Sequence, residues 1–324
     1  MTWKRFKRVL GGALCCAVWI AAPAASAETI QTGMIGAANA AGWPWYIGIA
    51  KGFFAEVGIK LDIVYVPTAA GLVQQLSAGS LDMVGDVGVV EPIHAVAKGA
   101  PVALMRIIGQ VPPYEMVAKP GIASLKDLRG KTICIGGLVD INRVYLRRVM
   151  EANGLKDGDY DITVVGNTSG RFAALKSGAV DATMLAPPVN FFAEDAGFRN
   201  VGMVFDYARD LPFSATDVSL AYAQKHRDAL EKVQAALDKS VAWFDDTSHR
   251  DETIDILVKE MKAQREPIAR SYDYLRKIDY FAPNNAVSRA KLLSLVKEMK
   301  ALGDLKQDIA PETFVLPGLA RLVD

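Results

Sequence analysis

Three histidines are the sequence's stock for metal ligation or proton transfer near neutral pH, and His94, His226 and His249 lie far apart along the chain. Glu91-x-x-His94 puts a carboxylate and an imidazole on one helix face. One such pair falls short of a metal site, so His94 reads as a helix-surface histidine. Gly130-Lys131-Thr132 resembles the end of a phosphate-binding loop, but the glycine five residues before Gly130 is missing and a strand follows instead of a helix. Gly166-Asn167-Thr168-Ser169-Gly170 has the wrong spacing for a nucleophile elbow. Cys134, inside an apolar strand and without a histidine partner, reads as a buried structural thiol. No catalytic set emerges. The expectation is a binding protein with no cofactor and no metal.

The residues left for binding must be positioned by the chain's repeated unit. Asp62–Asp82 reads as a strand, a turn at Pro67, a helix from about Ala69 to Ala78, a stop at Gly79 and a second strand at Met83–Val87. Set without gaps against Asp161–Asp181, it matches at Asp62/Asp161, Ile63/Ile162, Val66/Val165, Gly71/Gly170, Leu76/Leu175, Gly79/Gly178 and Asp82/Asp181. Apolar strands of this kind suit a parallel sheet covered on both faces. Gly79 and Gly178 sit where a helix ends in a left-handed residue. Two such βαβ units, too far apart for a solenoid, predict an α/β protein of two similar lobes with mainly parallel sheets flanked by helices.

The ends support export. Lys4, Arg5, Lys7 and Arg8 precede an apolar run from Val9 to Ala22 and the small-residue site Ala25-Ser26-Ala27, the pattern of a cleavable secretory signal too short for a membrane anchor. Cleavage after Ala27 removes those four basic residues and no acid, turning a net charge of +1 slightly negative. Nothing there favours a nucleic acid. Cys134 remains the sole cysteine of the expected mature chain, so no internal disulfide is available. The core must suffice, and 51% hydrophobic content supplies it. From Gln224 onward Leu230, Val233, Leu237, Val241 and Phe244 fall at helical spacing, a helical C-terminal extension expected to cover the first lobe. The expected division is 1–27 as signal peptide, 28–118 with 215–324 as lobe 1, and 119–214 as lobe 2.

A set of short motifs carries a resemblance. Ala50-Lys-Gly-Phe-Phe-x-x-x-Gly58, Leu76-x-x-Gly79-x-x-Asp82, Gly99-x-Pro101, Ser124-Leu-Lys-Asp-Leu-x-Gly-Lys131 and Ala174-Leu-x-x-Gly178-x-Val-Asp181 together make the chain similar to the solute-binding proteins of nitrate/sulfonate/taurine-type ABC importers. The resemblance spans roughly Ile30–Leu257. It implies a type II periplasmic binding protein fold and a small-molecule ligand held between the lobes. It also implies a monomeric periplasmic receptor whose partners are an ABC permease and its ATPase in the inner membrane. Two other readings stay open: an exported receptor feeding a membrane sensor, and a thiamin-pyrimidine-type enzyme on the same fold, whose cysteine-rich motif is absent here.

In open α/β sheets ligands sit beyond the carboxyl ends of the strands. That singles out Ala38–Tyr46, Thr68–Gly71, Asp86–Gly88, Gln110–Tyr114, Leu138–Arg143, Asn167–Arg171, Pro187–Asn190 and Phe213–Asp217. Within them Asn39, Asn142 and Asn190 offer amides. Trp43, Trp45, Tyr46 and Tyr114 offer stacking surface, at least one of them expected to be core alone. Asp86 and Asp217 suit an amine. Asp140 stands at a helix start where sulfonate- and nitrate-type relatives carry Ser/Thr-rich loops, and its plain reading is an N-cap. Arg143 and Arg171 read either as anion ligands or as solvated first-turn residues. Thr68 and Gly71, and Thr168, Ser169 and Gly170, mark paired helix starts whose N–H groups favour an anionic or strongly polar ligand group.

Overall fold

Short runs of β-branched and apolar residues alternate with amphipathic segments, and the computed structural model sets them in two separate sheets. It describes residues 1, 27–36 and 39–324. The expected signal peptide therefore falls, apart from its two end residues, outside the described residues, as does residue 38.

The strands are β1 (Glu28–Met34), β2 (Ile59–Tyr65), β3 (Met83–Gly88), β4 (Val102–Gly109), β5 (Glu115–Ala118), β6 (Thr132–Ile135), β7 (Asp161–Val164), β8 (Ala182–Leu185), β9 (Arg199–Met203) and β10 (Ser214–Ser219). One sheet runs β2-β1-β3-β10-β4 and the other β7-β6-β8-β5-β9. The two orders are the same pattern written twice. In each, the first strand lies between the two strands of the repeated unit, paired parallel to both. In each, an antiparallel strand from the other half of the chain is inserted beside the second strand of that unit, β10 next to β3 and β5 next to β8. The sheets are mainly parallel, and two crossings of the chain join them.

One boundary shifts. Glu115–Ala118 was expected to close the first lobe, but it pairs with β8 and β9 in the second sheet. The outward crossing therefore precedes Glu115, around Gln110–Tyr114.

Helices fill the connections: α1 (Trp43–Ala50), α2 (Ala69–Ser77), α3 (Val90–Ala97), α4 (Ile141–Ala152), α5 (Thr168–Lys176) and α6 (Val189–Asp195). Helices α2 and α5 end at Gly79 and Gly178, whose φ of +73° and +83° would strain a side chain. The C-terminal part adds α7 (Arg227–Asp245), α8 (Arg250–Met261), α9 (Arg265–Lys277) and α10 (Arg289–Ala301). Helix α7 buries the expected stripe Leu230, Val233, Leu237, Val241 and Phe244 and lies against α1 of the first lobe. Each of those side chains is worth about 1.5–3 kcal/mol of burial, enough to fix the extension there. Arg106 of β4 ties it down further, reaching Asp238 and Gln234 of α7 from a fully buried position. Among the described residues no helix is long and apolar enough to cross a membrane.

Candidate functional site

The carboxyl ends of both sheets face one another across a cavity of about 320 Å³, the size of a small-solute site. The lobes touch around it. Ala40 N–H donates to Pro187 O at 3.3 Å across the cleft. Gly166 comes so near the first lobe that a Cβ there would lie 3.1 Å from Pro67 O, which any side chain would push away. The lobes are closed on each other.

Helix starts form two walls, and they are matched. In the first lobe Asn39 Oδ1 accepts from Ala41 N–H at 3.1 Å, and Thr68 Oγ1 accepts from Gly71 N–H at 3.1 Å. In the second, Asp140 Oδ1 accepts from Asn142 N–H at 2.7 Å, and Asn167 Oδ1 accepts from Gly170 N–H at 2.9 Å. Each cap satisfies a backbone donor that a helix start would otherwise turn outward. Asp140 is thus the N-cap the sequence suggested, and it also lines the cavity. Gly71 and Gly170 do not line it, and their N–H groups are spent on the caps.

Three carboxyl groups line the cavity, Asp86, Glu91 and Asp140. Asp86 is fully buried, accepting from Ile35 N–H (3.1 Å) and Asn39 Nδ2 (2.9 Å). Both bonds favour the ionised form, but burial outweighs them and pushes Asp86 up to about 8. Burial likewise holds Glu91 well above the usual carboxylate value, and the neighbouring Asp140 adds to it by charge and hydrogen bonding. Asp140 is itself raised by burial, against the pull of Asn142 N–H and the Arg171 guanidinium. Glu91 Oε2 and Asn142 Oδ1 are buried without a hydrogen-bond partner in the structure. Tyr114, whose hydroxyl accepts from Asn142 Nδ2 at 3.3 Å, stands edge-on to Phe213, and with Ile35, Val87 and Ile141 supplies apolar wall.

Arg171 is the cationic residue of this lining, and its role differs from both readings of the sequence. It is 2% exposed, and it donates to Met184 O (3.2 Å), Gly166 O (2.5 Å) and Thr168 Oγ1 (3.1 Å). Those bonds fasten the second lobe's corner and leave Arg171 beneath Asp140 as a local counter-charge.

Of the residues singled out by sequence, Asn39, Thr68, Asp86, Tyr114, Asp140, Asn142, Thr168 and Ser169 line the cavity. The others do not. Trp43 and Trp45 are fully buried in the core: Trp43 Nε1 donates to Met261 Sδ, while Trp45 stacks on Phe54 and donates to Gly85 O. Tyr46 lies buried beside them, its hydroxyl 3.3 Å from that of Tyr65. The aromatic cluster is packing, because α7 and α8 cover it. Arg143 turns away to donate to Leu138 O. Asn190 is buried beside Glu115, outside the cavity. Asp217 is fully buried on β10, outside the lining, and burial holds its carboxyl well above the usual carboxylate value. Sequence reasoning missed Glu91, which was absorbed into the Glu-x-x-His pair. Its place just beyond the carboxyl end of β3 was the available signal. Among the described residues no three His, Cys, Asp or Glu side chains are grouped to hold a metal.

Comparison with known proteins agrees with this architecture. A protein of Bacillus subtilis (strain 168) named "Putative binding protein YtlA" is 23% identical over 289 residues, 86% of this chain and 85% of its own length. The ligand binding component of an ABC-type import system from Staphylococcus aureus superposes with a TM-score of 0.78 at 14% identity, over 90% of this chain and 97% of that one. The alkanesulfonate-binding protein SsuA from Xanthomonas axonopodis pv. citri, bound to MOPS, gives 0.74 at 18% identity, over 90% and 99%. At such identities the likeness establishes the two-lobed periplasmic binding protein fold. The family described as NMT1/THI5 like matches residues 39–247, and the chain belongs to that family.

Proposed function

We propose that the protein is the solute-binding component of an ABC importer, a periplasmic, monomeric receptor that captures a small organic solute between its lobes and delivers it to a permease. The carrying observation is the cavity of about 320 Å³ lined from both lobes at the carboxyl ends of both sheets. A solute there is gripped by two bodies linked through the chain crossings, so binding favours closure and release needs opening. The caps, carboxyls and Arg171 fix groups without presenting a nucleophile–base pair, which suits capture over chemistry. Native mass spectrometry of the protein purified from its host tests this. A small molecule should travel with it and be recovered unchanged, and refilling the stripped protein should reduce its radius of gyration. Turnover of that molecule, or saturation without compaction, would overturn the reading.

A further inference from the structure

The cavity's polar groups are unequal in kind. Acceptors dominate: the Asp86, Glu91 and Asp140 carboxyls, and Asn142 Oδ1. Glu91 is 7% exposed and Asn142 2%, yet Asn142 Oδ1 has no donor from the protein, and Glu91 Oε2 has none beyond a proton shared between Glu91 and Asp140. A buried acceptor left unpaired is destabilising, so these atoms favour a ligand that brings N–H groups. The cation within reach, Arg171, is committed to Met184, Gly166 and Thr168. A sulfonate or nitrate in this place would meet carboxyl oxygens and unpaired acceptors.

We propose that the solute carries a protonated nitrogen, an ammonium or amidinium group, clamped between Glu91 of the first lobe and Asp140 of the second. This rests on reading the cleft as a receptor site. The two carboxyls approach from different lobes, so the cation bridges them and its charge draws the lobes together. Without it, two carboxylates cannot face each other in a buried cleft, and a proton must stand between them. The groups facing Glu91 bear this out. Asp140 across the cleft and Asp217 from β10 both disfavour its ionisation, and Asp86 shares the cavity. Arg171 is spent beneath Asp140, and His94 on Glu91's own helix turns to Asp304 O. The bound cation replaces that proton, which leaves to solvent.

The test uses the stripped full-length mature protein and a thermal-shift library of protonated amines and amidines, neutral amides, carboxylates and sulfonates of similar size. Cationic compounds should raise the melting temperature, and their neutral and anionic counterparts should not. For the strongest amidine, Glu91→Gln and Asp140→Asn should each weaken binding roughly tenfold to a hundredfold. Affinity for that amidine should also rise as pH climbs above the ordinary carboxylate range, with proton release seen by calorimetry in two buffers. Removing a buried carboxyl whose ionisation is disfavoured should leave Glu91→Gln folded, which its own melting curve checks. Should Asp140→Asn fail to fold, Glu91→Gln and the proton count decide alone. Hits confined to sulfonates or carboxylates, or an unchanged amidine affinity in folded Glu91→Gln, would overturn the cation assignment and leave the receptor standing. No hit of any charge would overturn the receptor reading of this cavity.

Discussion

The two lobes carry the same scaffold and different chemistry at the cleft. Met83 and Ala182 occupy matching places, each beside the first strand of its sheet. Carrying that register onward sets Asp86 opposite Leu185 and Glu91 opposite Asn190. The first lobe's corner thus holds two carboxyls at the cavity, where the second holds a core leucine and an amide turned away from it. The second lobe answers with Asp140 at the place where the first has Asn39. Strand order and helix caps follow from backbone needs that both halves share. The charge at the cleft edge does not, and it is free to differ because only the ligand reads it.

The largest expected effect comes from forcing the second lobe to imitate the first. Asn190 is fully buried next to Glu115, which burial and the nearby Glu194 carboxylate push up to about 8. Asn190→Glu adds a second acid there with no cation to spare. It should cost about 3–5 kcal/mol of stability by chemical denaturation, the scale of an uncompensated buried charge. The reverse exchange, Glu91→Asn, removes a raised carboxyl and should hold or increase the melting temperature of the ligand-free protein. Its cost should fall on cation binding, at roughly tenfold or more. Equal stability losses in both variants would erase the distinction between the two corners.

The pH dependence of stability comes next. Asp86 in one lobe and Glu115 in the other are both raised to about 8. A raised carboxyl keeps its proton in the folded state after the unfolded chain has lost it. Its contribution is therefore full below the ordinary carboxylate value and is lost as pH rises towards 8. Each group should take away at most about 1.4 kcal/mol per pH unit over that span. Denaturation from about pH 5 to 9 should show stability falling and then levelling, and Glu115→Gln should flatten the slope while sparing ligand affinity. A slope unchanged in Glu115→Gln would place the loss elsewhere.

Much of this was legible in the sequence because it is local. The repeat, the glycine stops, the helix start at Asp140 and the loops beyond the strand ends depend on neighbours along the chain. What failed depends on partners far away in sequence. Trp43 and Trp45 have the composition of a stacking surface, but Met261, Phe244 and Phe54 enclose them, and no spacing near residue 43 announces helices some two hundred residues downstream. Glu91 looked like half of a helix-face pair, because its burial comes from the second lobe closing over it. Arg171 looked solvated because its partners Met184, Gly166 and Thr168 come together only when its own lobe folds. Side-chain type names what a residue can do, and the fold decides which of those uses is open.

The smallest effect gives the sharpest sign. Sequence alone favoured an anionic or strongly polar group between the paired helix starts, and a carboxylate there would repel an anion. The structure shows both starts already capped by Thr68 and Asn167, and the carboxyls beyond them favour a cation. Ser169 sits in the first turn of α5, exposed and on the cavity's lining. Ser169→Asp places a negative charge where the helix dipole welcomes it, so stability should hold or rise by about 0.3–1 kcal/mol. The same charge lies near any bound cation but remains in contact with water, which limits its reach to a similar size. Amidine affinity should therefore increase about two- to fivefold, and the gain should shrink as salt is added. A tenfold loss instead, with the melting temperature preserved, would return the ligand's negative end to the helix starts and take the cation away from Glu91 and Asp140.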